Sequence, residues 1–120
     1  THWGRIEGYR SLEGSQLFSV AQTFKDWGVS TLDSMLYGKE ALRKTRLWAS
    51  GGVRSGLDAA KLIALGAEMV GYAQPLLGAA VATLQKTSAE AATETLADMM
   101  ARFEYELKVS MFCSGCKDLN

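Results

Sequence analysis

Ten consecutive residues, Ala49-Ser50-Gly51-Gly52-Val53-Arg54-Ser55-Gly56-Leu57-Asp58, carry the chemistry most readily read from this chain. The run before them, Arg46-Leu47-Trp48-Ala49, is predicted to be a short buried strand, and its glycine-rich end opens directly onto a helix. Adjacent glycines let a backbone approach an anion closely, and a helix just beyond turns free N–H groups and its positive dipole end toward it. About twenty residues later, Ala67-Glu68-Met69-Val70-Gly71-Tyr72-Ala73-Gln74-Pro75 repeats the arrangement: an apolar run broken by glycine and halted by proline. Both segments point to a bound phosphate.

The elements that must position these segments follow from local pattern. Ser30 or Thr31 caps a helix running to about Arg43, with Leu32, Met35, Leu36 and Leu42 as its apolar side. Leu57, Ala60, Ile63 and Ala64 recur at helical spacing before a stop at Gly66. Met69–Tyr72 is the next strand, which makes residues 45–74 a βαβ unit. Pro75 suits the first turn of a helix reaching about Leu84. Thr87-Ser88-Ala89-Glu90 is a capping-box pattern opening an amphipathic helix over 87–115, with Ala92, Leu96, Met100, Phe103, Leu107 and Met111 on one face. Residues 1–28, with Gly4, Gly8 and Gly14 among scattered aromatics, are predicted to be a long loop.

Two strand ends one helix apart are how the last quarter of a (β/α)8 barrel holds the phosphate of a flavin or sugar phosphate. The fold class expected is therefore α/β, the C-terminal part of such a barrel: its last two to three βα units plus a long closing helix. A whole barrel takes about 250 residues. With 120 residues, the chain is expected to be part of a longer protein.

Composition narrows the function classes. Formal net charge is zero and hydrophobic content 48%, so no basic field supports nucleic-acid binding. No apolar run approaches the roughly 20 residues of a membrane helix, and no signal-peptide pattern opens the chain. The two cysteines, Cys113 and Cys116, are no disulfide framework, and a cytoplasmic location is expected. Their spacing matches redox motifs, but at a helix end, where a thiol gains nothing from the helix dipole. Zinc would need about four ligands, and the one histidine is far away in sequence. They read as incidental.

Four motifs in order then resemble one family, the type 2 isopentenyl-diphosphate isomerases. Thr1-His2-Trp3-Gly4-Arg5-Ile6-Glu7 is similar to the family's Gly-Gly-Thr-x-Trp-x-x-Ile-Glu loop without its two glycines. Trp27-Gly28-Val29-Ser30-Thr31 resembles Trp-Gly-Ile-x-Thr, and Ala49–Ala60 resembles Ala-Ser-Gly-Gly-Ile-Arg-x-Gly-Leu-Asp-x-Ala. Leu107–Leu119 is similar to the closing Glu-Leu-x-x-x-Met-x-x-x-Gly.

The resemblance implies an FMN-dependent enzyme that converts isopentenyl diphosphate to dimethylallyl diphosphate, with Mg2+, with NADPH or a related nicotinamide to reduce the flavin, and assembled as a homo-oligomer, a tetramer or larger. It implies that residues 1–28 follow the sixth barrel strand and that Thr1 contacts the flavin. Gly52, Val53 and Arg54 would meet the FMN phosphate after the seventh strand, and Ala73 and Gln74 after the eighth. It leaves no catalytic or metal-binding residue in this chain, since the metal carboxylate and most diphosphate-binding residues lie upstream in the family. These residues alone are expected to catalyse nothing.

A flavin hydroxy-acid oxidase or dehydrogenase is the alternative enzyme. His2-Trp3-Gly4-Arg5 has a His-x-x-Arg spacing that could deprotonate a hydroxy acid. Trp3 and Ile6-Glu7 fit the isomerase loop better, and Ser50 stands where those oxidases usually carry an acidic residue. A non-catalytic truncated scaffold is the third reading. Arg54 is the weaker donor through its side chain and the stronger through its amide. Glu104 and Glu106 are read as the solvated side of the last helix.

Overall fold

The computed structural model describes residues 3–84 and 89–119, and within them every side chain except those of residues 82, 83 and 89–95. The elements run α1 (Trp3–Arg10), α2 (Gln16–Thr23), α3 (Thr31–Ala41), β1 (Trp48–Ser50), α4 (Gly56–Ala64), β2 (Met69–Gly71), α5 (Gln74–Leu84) and α6 (Ala89–Ser114).

The predicted βαβ unit is present. β1 and β2 are parallel neighbours, with Trp48 opposite Met69, Ala49 opposite Val70 and Ser50 opposite Gly71. Because side chains alternate along a strand, Ala49 and Val70 share one face, and Trp48 and Met69 share the other. The first face carries the core: Met35 from α3, Ala49, Val53, Leu62 from α4 and Ala67 are buried together, with Leu47, Val70 and Tyr72 against them. The second face is bare among the described residues. Trp48 is 70% exposed and Met69 54%, so the strand predicted as buried is buried on one side only. Parallel sheets are ordinarily covered on both faces and flanked by further strands, and this one is not.

α4 forms where the apolar spacing and the Gly66 stop place it. Ser55 has extended backbone and its hydroxyl accepts the Asp58 amide at 3.0 Å, the geometry of an N-cap. Its packing face differs from the expected one. Ala59 and Leu62 are buried, while Leu57 is 49% exposed. The shift arises because α4 lies between two layers, the sheet and α6, and a single apolar stripe cannot serve both. Gly56 makes the second contact possible: a Cβ there would collide with the Phe103 carbonyl of α6 and lie 2.7 Å from the Leu107 nitrogen.

α5 and α6 pack together, and α6 reaches back over α4. On α6, Phe103 is buried and Leu96, Leu107 and Met111 are partly covered, but Met100 is 61% exposed and leaves the expected stripe. The capping residues 87–88 and the side chain of Ala92 lie outside the described residues.

The N-terminal segment corrects the sequence reading most. Residues 1–28 are not one loop, because α1 and α2 form a helical hairpin there. Ser15 caps α2 by accepting the Phe18 amide at 3.1 Å. Two of the glycines read as loop punctuation are helix–helix contacts. A Cβ at Gly4 would strike the Phe24 carbonyl, and Gly8 is buried with its Cβ position 3.6 Å from Ala21. Glycine at such crossings permits close approach rather than a turn.

Candidate functional site

Parallel pairing sends both strands out of the sheet at the same end. Gly51 and Gly52 therefore leave β1 beside the point where Tyr72 and Ala73 leave β2. Gly51 and Gly52 have φ of 107° and 75°, values that L side chains rarely adopt, and nothing lies within 4 Å of where a Gly52 Cβ would project. The next residue, Val53, is 4% exposed and anchors the loop into the core. Among the described residues no hydrogen bond engages the Gly52 or Val53 amide.

The start of α4 is a different matter. Ser55 takes the Asp58 amide, the Asp58 carboxylate takes the Arg54 amide at 3.1 Å, and the Glu106 carboxylate takes the Gly56 amide at 2.6 Å. Donors that the sequence suggested were free for an anion are thus claimed by the protein's own oxygens. The Arg54 bond holds the Asp58 carboxyl below its ordinary value, against a smaller opposing effect of burial. Arg54 retains an exposed side chain, so its guanidinium, rather than its amide, is what it can offer a ligand. The signal was legible: Ser55 followed three residues later by Asp58 is a helix-capping pattern.

Among the described residues no side chain caps the start of α5. The Ala73 carbonyl accepts the Leu77 amide at 2.9 Å, which makes Ala73 the cap, and alanine has no side-chain acceptor. First-turn N–H groups of an α-helix have no partner within the helix, and Pro75 has no N–H to leave orphaned. The start of α5 therefore lies at the sheet end where the glycine loop emerges, and it brings the positive end of the helix dipole there.

Three side chains brace this end. The Thr31 hydroxyl, at the start of α3, donates to the Gly51 carbonyl at 2.6 Å and lies 3.3 Å from the Ser50 carbonyl. The Tyr72 ring stacks on Phe103 with centroids 4.7 Å apart, and its hydroxyl donates to the Ser55 carbonyl at 3.3 Å. Burial, followed by the nearby charges of Glu106 and Asp58, raises the Tyr72 phenol above its ordinary value. Glu106 is therefore partly covered and structural, not a solvated residue as its sequence context suggested. Glu104 does face solvent, paired with Lys108 four residues on.

This donor set fits a phosphate: unclaimed amides at Gly52 and Val53, the open start of α5 at Ala73 and Gln74, and the Arg54 cation. Thr1 and His2 lie outside the described residues. A cavity of about 570 Å³ lies elsewhere, between α1 and α2, where Arg5, Tyr9 and Gln22 line it. A cleft of about 210 Å³ between α3 and α4 does border the glycine loop through Gly51, Gly52 and Asp58. Cys113 and Cys116 are exposed free thiols. Among the described residues no group of three or more metal-ligating side chains forms, and no helix is long and apolar enough to cross a membrane.

The chain is 50% identical over 119 residues to an isopentenyl-diphosphate delta-isomerase of Bdellovibrio bacteriovorus, covering 99% of this chain and 32% of that protein. It is 44% identical over 120 residues to the protein of the same name from Legionella pneumophila strain Corby, covering all of this chain and 32% of the relative. For the one from Rickettsia bellii the identity is 33% over 120 residues, with the same coverage. The chain thus spans about a third of the length of the curated relatives it matches. No solved structure matches it. A family model described as FMN-dependent dehydrogenase matches residues 25–120, leaving out only the first hairpin, and the chain belongs to that family.

Proposed function

We propose that this chain is the FMN-phosphate end of a (β/α)8 barrel that converts isopentenyl diphosphate to dimethylallyl diphosphate. The observation that carries the reading is the shared sheet end, where the Gly51-Gly52 loop and the uncapped start of α5 emerge side by side. Relatives named for that isomerisation, matched along the whole chain, supply the substrate. The bare sheet face with Trp48 and Met69 suits the inside of a barrel whose other strands lie outside this chain.

In this reading the Gly52, Val53, Ala73 and Gln74 backbones grip the FMN phosphate, the Arg54 guanidinium adds a charge-assisted contact, and Thr1 touches the flavin. Reduced FMN, when bound, supplies the acid–base chemistry for moving the double bond. The residues of this chain bind and orient; none of them moves a proton. Val53, packed into the core, keeps the loop amides at a constant height above the sheet. Mg2+ and NADPH complete the cofactor set through parts of the barrel beyond this chain. Assembly as a homo-oligomer, a tetramer or larger, and a cytoplasmic location belong to the same reading and rest on the resemblance alone.

The family description favours one second reading, an FMN-dependent dehydrogenase acting on a 2-hydroxy acid. One experiment separates them. The full-length protein, loaded with FMN and magnesium, is given isopentenyl diphosphate with its flavin reduced, and a panel of 2-hydroxy acids with its flavin oxidised. Formation of dimethylallyl diphosphate supports the isomerase. Oxidation of a hydroxy acid without isomerisation overturns it.

A further inference from the structure

We propose that Thr31 is a positioning residue for the anion site, acting through the Gly51–Gly52 peptide. This rests on the phosphate reading above and adds a residue to it. In a planar trans peptide the carbonyl and the following N–H point in opposite directions. The Thr31 hydroxyl holds the Gly51 carbonyl at 2.6 Å, so the N–H of the same peptide, that of Gly52, points away from α3.

The loop needs such a restraint. Two successive glycines at positive φ have no Cβ to resist rotation, so the peptide between them is among the easiest in the chain to turn over. A turned peptide would present a carbonyl oxygen to an anion where an amide should be. Thr31 is well placed to prevent this, since its own backbone is held. It is the first residue of α3, directly after Ser30, whose hydroxyl caps that helix by accepting the Asp33 amide at 3.0 Å. A β-branched side chain on a helical backbone also has few rotamers to choose from. The second carbonyl within reach, Ser50 at 3.3 Å, lies on the same side and supports the same orientation.

The test compares FMN with riboflavin, which lacks the phosphate, in the full-length protein. Dissociation constants for both are measured for the parent, Thr31→Val and Thr31→Ser. Thr31→Val should reduce the preference for FMN about three- to tenfold, the worth of one hydrogen bond, and leave riboflavin binding unchanged. Thr31→Ser keeps the hydroxyl and should keep the preference. Equal weakening of both ligands by Thr31→Val, or an unaltered preference, overturns the positioning role while leaving the phosphate reading intact. If Thr31→Val does not fold, loss of the preference in Thr31→Ser overturns it instead. A parent protein that binds riboflavin as tightly as FMN overturns the phosphate reading itself, and this proposal with it.

Discussion

The Glu106 carboxylate accepts the Gly56 amide at 2.6 Å, joining residues fifty apart in sequence at the first turn of α4. The bond exists because Gly56 lets the α6 backbone come close enough for a side chain to reach the helix start. It places a negative charge at the positive end of α4 and removes one orphan donor. The loop between β1 and α4 is consequently tied down at its far end from the last helix, while Thr31 ties its near end from α3.

Replacing Glu106 with alanine leaves a covered amide without its charged partner. A loss of about 1.5–3 kcal/mol is expected, the range for hydrogen bonds to charged groups. Glu106→Gln retains an acceptor and should recover most of it. Urea denaturation midpoints of the full-length variants check the order, and an Ala variant as stable as the parent would contradict the bracing role.

Gly56→Ala tests the close approach directly. The added methyl meets backbone atoms, the Phe103 carbonyl and the Leu107 nitrogen, which cannot swing aside as a side chain would. Destabilisation of about 3 kcal/mol is expected, at the severe end for overpacking. Thermal unfolding measures it, and a change below about 0.5 kcal/mol, the scale of an ordinary surface substitution, would show that α4 and α6 are not in contact here.

Asp58 gives the fold an acid dependence. Its folded carboxyl is held below the ordinary value chiefly by the Arg54 amide, with burial opposing and the Ser55 hydroxyl assisting. A depressed value means the folded state binds the proton more weakly than the unfolded chain. The stabilisation is therefore complete above the ordinary aspartate value of about 3.9 and is lost as pH falls through the lower, folded value. Stability measured from neutral pH downward should fall less steeply in Asp58→Asn than in the parent.

Tyr72, just after β2, holds α6 through its ring and the β1–α4 loop through its hydroxyl. Tyr72→Phe keeps the stack on Phe103 and loses only the bond to the Ser55 carbonyl, a cost of about 0.5–1.5 kcal/mol. Tyr72→Ala removes both and should cost about 3 kcal/mol. Chemical denaturation separates the contributions; equal losses in the two variants would mean that the ring contact carries no weight.

Gly52→Ala should separate folding from binding. Its φ of 75° makes any Cβ cost about 1–2 kcal/mol, yet nothing within 4 Å obstructs one. The full-length variant should fold and lose FMN affinity at least tenfold, read by equilibrium dialysis of the flavin. Unchanged affinity would remove Gly52 from the site.

What could be read without coordinates was governed by interactions a few residues long. Ser30 as a cap, the glycine break after β1 and Pro75 in the first turn of α5 all stand where pattern puts them, because each acts on backbone groups within about one helical turn. Parallel pairing of β1 and β2 followed from an intervening helix, which leaves few other connections. Pattern failed where a residue's role depends on a distant partner. Gly4 and Gly8 resemble loop residues until Phe24 and Ala21 are set against them, and Glu106 resembles a solvated helix residue until Gly56 arrives beneath it. The grip of Thr31 on Gly51, twenty residues away, has no local signature at all. Periodicity and capping identified the elements and the glycine loop of the candidate site. Only packing decided which amides stay open, because a buried donor takes whichever acceptor the fold brings within about 3 Å.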